Sequence, residues 1–136
     1  MAHETALDFI RRHHRGVLAT YRSDGQAQLS PVLAGVDSES RVVISTREGA
    51  MKTHNLRRNP RAALCAISER FFGAWYGVEG NVEVLSLPEA LEPLVDYYRS
   101  VAGEHPDWQD YREAMVRERR ALLRLSVDRS GPTTQG

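Results

Sequence analysis

One stretch near the middle of the chain, residues 42–67, constrains the fold more than any other. It opens on a β-branched run, passes two hydroxyl residues and a short polar loop, and continues as a helix-length segment from Ala50. That segment stops at Asn59-Pro60, and a second apolar run, Ala62–Ile67, follows. β-Branched runs indicate strands, whereas a proline ends a helix. The stretch therefore predicts strand, loop, helix and strand in that order.

The helix predicted in this stretch is strongly basic. No acidic residue occurs between Ala50 and Ile67, and the basic residues there are Lys52, His54, Arg57, Arg58 and Arg61. Two hydroxyl residues, Ser45 and Thr46, and the loop residue Gly49 come just before the helix. Free N–H groups and the dipole at a helix N-terminus favour an anion, so we predict an anion site here. The spacing differs from the phosphate loop of NTPases, and the alternative is an ordinary basic helix facing solvent.

The composition is that of a globular protein without a charge bias. The chain has 136 residues, of which 41% are hydrophobic and 26% are charged, and its formal net charge is zero. This length suits one domain, so residues 1–136 are treated as a single unit. A neutral chain gives no sign of nucleic acid or an anionic membrane as a partner, and no apolar stretch reaches transmembrane length. We therefore expect a cytoplasmic enzyme or binding protein.

Apolar alternation and turn residues divide the chain into about six strands. The predicted strands are Val17–Tyr21, Gln26–Val36, Val42–Thr46, Ala62–Ile67, Trp75–Leu85 and Ala121–Val127. Proline cannot donate to a strand ladder, so Pro31 marks an edge or a bulge. Cys65, the single cysteine, rules out an internal disulfide and is predicted to be a small buried core residue.

Helical spacing predicts three helices besides the central one. The first is Thr5–His14, with Thr5 as its cap and Gly16 as its stop signal. The second is Glu89–Val101, entered through Pro88 at its first turn. The third is Asp107–Arg119, with Asp107 as its N-cap.

The order of these elements predicts the fold class. Strands joined by short turns, with helices grouped at the ends, indicate a mainly β (α+β) protein, either an antiparallel barrel or an α+β sheet, rather than a doubly wound fold. Ser130–Gly136 is predicted to be a frayed tail.

Three common kinds of site are not supported by the sequence. His13 and His14 are adjacent and point to different sides of a helix, and no HExxH, CxxC or paired-histidine spacing occurs, so we predict no metal site. Ser30 lacks the GxSxG context of a serine hydrolase. A glycine-rich dinucleotide fingerprint is also missing, which argues against NAD on a Rossmann fold.

The central stretch resembles a known family. Its run Lys52-Thr53-His54-Asn55-Leu56, followed by Asn59-Pro60-Arg61-Ala62-Ala63-Leu64, has the spacing K-x-x-N-L-x-x-N-P-x-A-x-L. With Ser45-Thr46 before it, this pattern resembles the pyridoxamine-phosphate-oxidase-like split β-barrel flavoproteins. The resemblance extends from Ala6 to Val127. It implies an antiparallel split β-barrel with peripheral helices that forms a homodimer.

A late segment is similar to one branch of that family. The residues that carry this similarity are Tyr97-Tyr98-Arg99, Gly103-Glu104-His105, Trp108, Tyr111-Arg112 and Met115. The branch is the actinobacterial one, which uses the deazaflavin coenzyme F420 in place of FMN. The resemblance thus implies hydride transfer from reduced coenzyme F420 to an unsaturated, conjugated organic substrate, with a tetrapyrrole such as biliverdin as an example.

The resemblance also implies where the cofactor lies, at the interface of two subunits. The ring would lie on the strand Ser30-Pro31-Val32, and the phosphate would meet hydroxyls and Lys52. Arg57, Arg58 or Arg61 would serve the acidic oligoglutamate tail. Trp75 and Tyr76 would come from the partner subunit, although aromatic residues of this size are more often core residues. The predicted cofactor contacts are Ser30, Pro31, Val32, Ser45, Thr46, Arg47, Met51, Lys52, Thr53, Asn55, Arg58, Trp75 and Tyr76. No catalytic residue is assigned, because a family member can use solvent as proton donor.

Two alternatives keep the fold and change the function. The first is an FMN-dependent enzyme like the oxidases that make pyridoxal phosphate. The Arg-x-x-Leu-Leu-Lys run expected there reads Arg41-Val42-Val43-Ile44 here, and the oxidase's C-terminal substrate segment is lacking. The second is a protein without catalytic activity that carries the cofactor or binds another planar anion such as haem.

Overall fold

The structure, a computed structural model, describes residues 2–132. Its helices are α1 (Glu4–Arg12), α2 (Met51–Arg58), α3 (Leu91–Ala102) and α4 (Trp108–Arg117). Its strands are β1 (Arg15–Tyr21), β2 (Ala27–Leu33), β3 (Gly35–Val36), β4 (Val42–Arg47), β5 (Arg61–Ile67), β6 (Trp75–Leu85) and β7 (Arg120–Gly131). Each of these four helices is too short or too polar to cross a membrane.

All seven strands belong to one antiparallel sheet, in the order β2-β1-β5-β6-β7-β4-β3. The sheet curls into a split barrel with the helices at its periphery, which confirms the predicted fold class. Pro31 lies in β2, an edge strand, as predicted. The central succession of strand, loop, helix and strand is also confirmed by β4, α2 and β5.

Two of the predicted strands are wrong in extent. Gln26–Val36 is divided at Ala34, because β2 pairs with β1 whereas β3 pairs with β4 at the opposite edge of the sheet. The last strand does not stop at Val127. It continues to Gly131 because β6 is long enough to pair with it, with a register shift at Glu79/Gly80. Ser130 and Gly131 therefore belong to a strand, and residues 133–136 of the predicted tail lie outside the described residues.

Two helix starts and one stop signal also differ from the prediction. α1 begins at Glu4, with His3 rather than Thr5 at the N-cap position. Gly16 is a strand residue: a Cβ there would lie 2.7 Å from the Cys65 carbonyl oxygen, so glycine permits close approach of β1 and β5. α3 begins at Leu91 because hydrogen-bonded turns occupy the preceding residues. Asp107 caps α4 as predicted, accepting a hydrogen bond from the Asp110 N–H.

Two apolar cores hold the barrel and its helices together. The barrel interior is filled from β1, β4, β5, β6 and β7, and α1 and α2 cover it with side chains such as Ile10 and Leu56. The second core lies between the other face of β4 and β7 and the pair α3–α4, and includes Leu94, Tyr111 and Met115. Three residues of the late segment, Tyr97, Tyr111 and Met115, are thus buried within the chain.

One face of the sheet remains exposed, on β1, β2, β5 and the start of β6. We call it the open face and define it by its outward apolar residues, which are Val17, Leu29, Leu33, Cys65 and Trp75. The prediction that Cys65 is buried is wrong. Side chains alternate along a strand, so Leu64 and Ala66 face the core while Cys65 points outward.

Candidate cofactor site

The N-terminus of α2 is open to a ligand. Ala50 occupies the N-cap position with extended backbone, and no side chain caps the helix. An uncapped first turn leaves backbone N–H groups directed away from the helix, where they favour a negative charge. The side chains of Thr53 and Asn55 on this helix are buried in the protein, whereas that of Met51, its first residue, is exposed.

Lys52 is a partly buried cation in the first turn of α2. Burial and, secondarily, the positive charge of Arg120 lower the pKa of Lys52 below its ordinary value of 10.5. Among residues 2–132, no carboxylate forms a salt bridge with Lys52. A desolvated ammonium without a carboxylate partner is suited to binding an anion from outside the chain.

Two arginines extend this positive region and share a single carboxylate. Arg47 Nη2 lies 3.6 Å and Arg120 Nη2 lies 3.0 Å from the same oxygen, Glu118 Oε1. The hydrogen bond from Arg120, with the charges of Arg120 and Arg47, lowers the pKa of Glu118, so it remains ionised. With Lys52 included, three cations face one anion. The cluster of Arg47, Lys52, Glu118 and Arg120, here called the cation cluster, is positive overall.

The hydroxyl residues before the helix do not act as a pair. Successive side chains on β4 point to opposite faces, so Thr46 faces the barrel interior and Ser45 the other side. Thr46 Oγ1 lies 3.1 Å from Thr53 Oγ1, and Thr53 Oγ1 donates a 2.7 Å hydrogen bond to the Arg47 carbonyl. Because the single Thr53 proton is used there, Thr46 is the donor to Thr53. These two buried hydroxyls bond to each other and to the last residue of β4, and so fix the start of α2.

Asn55 ties α2 to β1 and β2. Its Nδ2 donates to Thr20 Oγ1 at 3.1 Å and to Gln28 Oε1 at 2.9 Å. Its Oδ1 accepts a 3.0 Å hydrogen bond from Arg58, which also donates to the Tyr21 carbonyl. Asn55 is fully buried, and these bonds occupy both ends of its amide. The bonds of Asn55 position the helix. In its own contacts with Tyr21 and Asn55, Arg58 donates only to neutral oxygens.

The three arginines predicted to read an acidic tail have different surroundings. Arg57 forms a salt bridge with Glu48, 2.6 Å away, and Arg61 forms one with Asp128. Their charges are therefore balanced inside the chain. Arg58 bonds to neutral oxygens, which makes it the best placed of the three to meet a carboxylate of a ligand.

The residues predicted to contact the ring lie on and beside the open face. Pro31 is exposed there, opposite Val17 on β1, while Ser30 and Val32 turn toward the other side of β2. Trp75 is exposed on the same face. Tyr76 points inward, and its ring centroid lies 5.1 Å from that of Phe9. The structure thus groups Pro31 and Trp75 on one apolar face and assigns Tyr76 to the edge of the core.

Comparison with protein families identifies the group to which this architecture belongs. The family model described as pyridoxamine 5'-phosphate oxidase matches residues 2–132. The chain belongs to this family. Membership of the pyridoxamine 5'-phosphate oxidase family supports an oxidoreductase with a flavin-type cofactor.

Solved structures have the same fold at low sequence identity. A conserved hypothetical protein from Mycobacterium tuberculosis is 24% identical, with a TM-score of 0.76 over 100% of this chain and 92% of that one. An F420 reductase is 19% identical, with a TM-score of 0.70 over 91% of this chain and 94% of that one. A heme binding protein from Mycobacterium smegmatis is 19% identical, with a TM-score of 0.69 over 92% of this chain and 52% of that one.

Sequence reasoning missed two members of the cation cluster, Glu118 and Arg120. Both lie at the junction between α4 and β7, and Arg120 is 68 residues after Lys52 in the sequence. β4–β7 pairing brings them to the start of α2, because Arg120 is the register partner of Arg47. The signal available in the sequence was the run Arg117-Glu118-Arg119-Arg120 directly before an apolar strand.

Proposed function

We propose that this member of the pyridoxamine 5'-phosphate oxidase family is an oxidoreductase that transfers a hydride from reduced coenzyme F420 to an unsaturated, conjugated organic substrate. A tetrapyrrole such as biliverdin is one substrate of this class. The observation that supports the proposal is the cation cluster, in which the partly buried Lys52 lacks a salt bridge among residues 2–132. The proposal places the protein in the actinobacterial deazaflavin branch and in the cytoplasm.

The residues of the chain fit the two ends of such a cofactor. A deazaflavin has a flat apolar ring and a phosphate followed by carboxylates. Lys52, with the first-turn N–H groups of α2, would hold the phosphate, and Arg58 would meet the carboxylates. Pro31 offers an apolar surface for the ring, and Trp75 of a second copy would cover it. When bound, the reduced cofactor supplies the hydride.

The contribution of the chain is orientation and exclusion of water. Asn55 and the Thr46–Thr53 pair hold the start of α2 in a fixed position relative to β1 and β4. A fixed anion site holds the phosphate in one place and so limits the positions that the ring can take, and this positioning lowers the entropic cost of reaction. We assign no acid or base among the residues of the chain, because solvent can supply the proton.

We also propose that the protein functions as a homodimer. Val17, Leu29, Leu33 and Trp75 form an apolar patch on the open face that one chain leaves in water. Large apolar patches on an isolated chain mark interaction sites. A second copy that covers this face would enclose the ring and supply a second equivalent site.

Equilibrium titration with oxidised coenzyme F420, FMN and haem tests the cofactor assignment. We expect the tightest binding for coenzyme F420, and affinity that falls as salt rises, because exposed charge pairs are screened within about 10 Å at 0.1 M salt. Tighter FMN or haem binding contradicts the proposal. A turnover assay with reduced coenzyme F420 and conjugated acceptors, including biliverdin, then tests the reaction.

A further inference from the structure

The connection between β5 and β6, residues 68–74, presents two aromatic rings to solvent. We call these residues the β5–β6 tip. Phe71 is 75% exposed and Phe72 is 98% exposed. Their ring centroids lie 5.0 Å apart with an interplanar angle of 25°, so the rings stack on each other rather than on the barrel. Two exposed phenyl rings side by side are costly in water and indicate a contact surface.

The tip has a defined shape. Ser68 Oγ donates a 2.8 Å hydrogen bond to the Arg70 carbonyl, and the Gly73 N–H donates to the same carbonyl at 2.8 Å. His13 Nδ1 lies 3.1 Å from Glu69 Oε2 and links the tip to the end of α1. These contacts order the backbone on both sides of Phe71 and Phe72, whose rings contact each other and remain exposed.

An unfilled apolar pocket lies at the base of the tip. It has a volume of about 420 Å³, and its lining includes Val17, Pro31, Val32, Leu33 and Ile67. Its single charged lining residue is Arg15. Ile67 is the last residue of β5, so the tip starts where the pocket ends. Each chain therefore has an apolar pocket and a pair of exposed phenyl rings at the same end of its open face. The rings of a chain do not line the pocket of that chain.

We propose that Phe71 and Phe72 of each copy dock into this pocket on a second copy and form one wall of that copy's cofactor site. A two-fold axis parallel to the strands brings the same ends of two open faces together, so each tip meets the other pocket. The second half of the inference rests on the proposed function, because Pro31 and Val32 line the pocket and also belong to the strand proposed to lie under the ring.

The surface area involved is consistent with a stable dimer. An aromatic side chain buries about 150–250 Å², so four rings from two tips bury roughly 600–1,000 Å². A stable interface buries about 1,200–2,000 Å² in total. The exposed open-face residues Leu29, Leu33 and Trp75 adjoin the pocket or the tip and can supply the remainder. Docking of a tip without stacking of the open faces would not reach this area.

Sedimentation of the protein without cofactor tests the docking. We expect the double variant Phe71→Ser/Phe72→Ser to weaken the dimer dissociation constant about a hundredfold or more, because removal of central aromatic contacts dominates interface energy. Folding is checked by circular dichroism. The control is Val116→Ser, which removes an apolar residue that is 58% exposed on α4, away from the open face, and leaves the dissociation constant unchanged. A dissociation constant unaffected by the double variant overturns the proposal.

A complementation experiment shows whether the contact is between copies. Leu33→Arg fills the pocket with a charge while keeping its own tip, and the double tip variant keeps its own pocket. A homodimer of either variant lacks both tip–pocket contacts, because either both pockets or both tips are altered. In the mixed dimer, the intact tip of the Leu33→Arg copy can dock into the intact pocket of the tip-variant copy, which restores one contact. We expect the mixture to associate at least about tenfold more tightly than either variant alone. If each variant alone dimerises weakly and the mixture associates no more tightly, the weakened association has another cause and the proposal is overturned.

Two readouts separate this inference from the cofactor assignment. Sedimentation without cofactor decides the docking whether or not coenzyme F420 binds. The wall is tested by titration of the dimeric fraction of each protein at high concentration: the double tip variant should bind coenzyme F420 at least about tenfold more weakly than Val116→Ser. A monomeric wild type whose Phe residues instead drive binding to phosphatidylcholine vesicles overturns the docking and assigns the tip to a membrane surface.

Discussion

Arg57 Nη2 lies 2.6 Å from Glu48 Oε1, while Lys52, five residues earlier in sequence, has no such carboxylate partner among residues 2–132. Ser86 Oγ also donates to Glu48, and these hydrogen bonds from Arg57 and Ser86 outweigh burial and lower the pKa of Glu48. Lys52 and Arg57 on α2 therefore differ: the charge of Arg57 is balanced inside the chain, and that of Lys52 is available to a ligand.

The first prediction follows from this difference. Lys52→Ala should weaken coenzyme F420 binding about ten- to hundredfold, since a hydrogen bond to a charged group contributes roughly 1.5–3 kcal/mol. Arg57→Ala is the matched control on the same helix, and should leave the dissociation constant unchanged and alter the free energy of unfolding by less than about 1 kcal/mol. Titration of both variants at one salt concentration provides the measurement. If Lys52→Ala and wild type bind the cofactor with equal affinity, α2 is an ordinary basic helix facing solvent and does not form an anion site.

The second prediction concerns the acidic tail of the cofactor. Arg58→Ala should weaken binding of coenzyme F420 about three- to tenfold, as expected for one partly exposed charge pair. The same variant should bind a form of the cofactor without glutamates as tightly as wild type does, whereas Lys52→Ala should remain impaired with both forms. A loss for Arg58→Ala that is the same with tailed and tailless cofactor would show that Arg58 acts through Asn55 and the position of α2 instead.

Local patterns in the sequence were sufficient for most of the fold. The β4–α2–β5 succession and the full extent of β6 follow from β-branched runs and alternation, which depend on neighbouring residues only. The division of Gln26–Val36 was not predictable in this way, because both halves are extended and differ only in which distant strand they pair with. Long-range pairing likewise determined that β7 reaches Gly131.

The candidate site was predicted in part for the same reason. Lys52 was found because it is close in sequence to the helix start, while Arg120 reaches it only through the pairing of β4 with β7. Cys65 was assigned to the core because its neighbours are apolar, yet strand alternation places it on the open face. Hydrogen-bond partners of Asn55 also depend on two strands far away in sequence, so its role in fixing α2 was not evident.

The third prediction tests that role of Asn55. Asn55→Ala removes both donors to Thr20 and Gln28 and the acceptor for Arg58, and leaves a buried hydroxyl with one partner fewer. We expect it to lower the free energy of unfolding by about 2–4 kcal/mol, from lost hydrogen bonds and the cavity. Asn55→Asp keeps the acceptor for Arg58 and loses the donors, so it should also be destabilised. Urea denaturation checks both, and a change below about 0.5 kcal/mol would mean that the amide bonds contribute little.

The fourth prediction uses the lowered pKa of Lys52, which affects binding and stability with opposite signs. Anion binding requires the ammonium, so coenzyme F420 affinity should be full below the pKa of Lys52 and fall as pH rises through it, at a pH below 10.5. Between that pKa and 10.5 the unfolded chain binds more protons at this site than the folded chain, so the Lys52 contribution to stability should rise with pH in the same window.

Lys52→Met separates this contribution from every other titrating group. The difference in free energy of unfolding between Lys52→Met and wild type, measured without cofactor, should favour the variant at neutral pH and shrink as pH rises toward 10.5. Lys52→Arg, whose guanidinium stays charged, should keep cofactor affinity flat over that range. A wild-type affinity that is also flat, or a Lys52→Met variant less stable than wild type at pH 7, would contradict a desolvated Lys52 held ready for an anion.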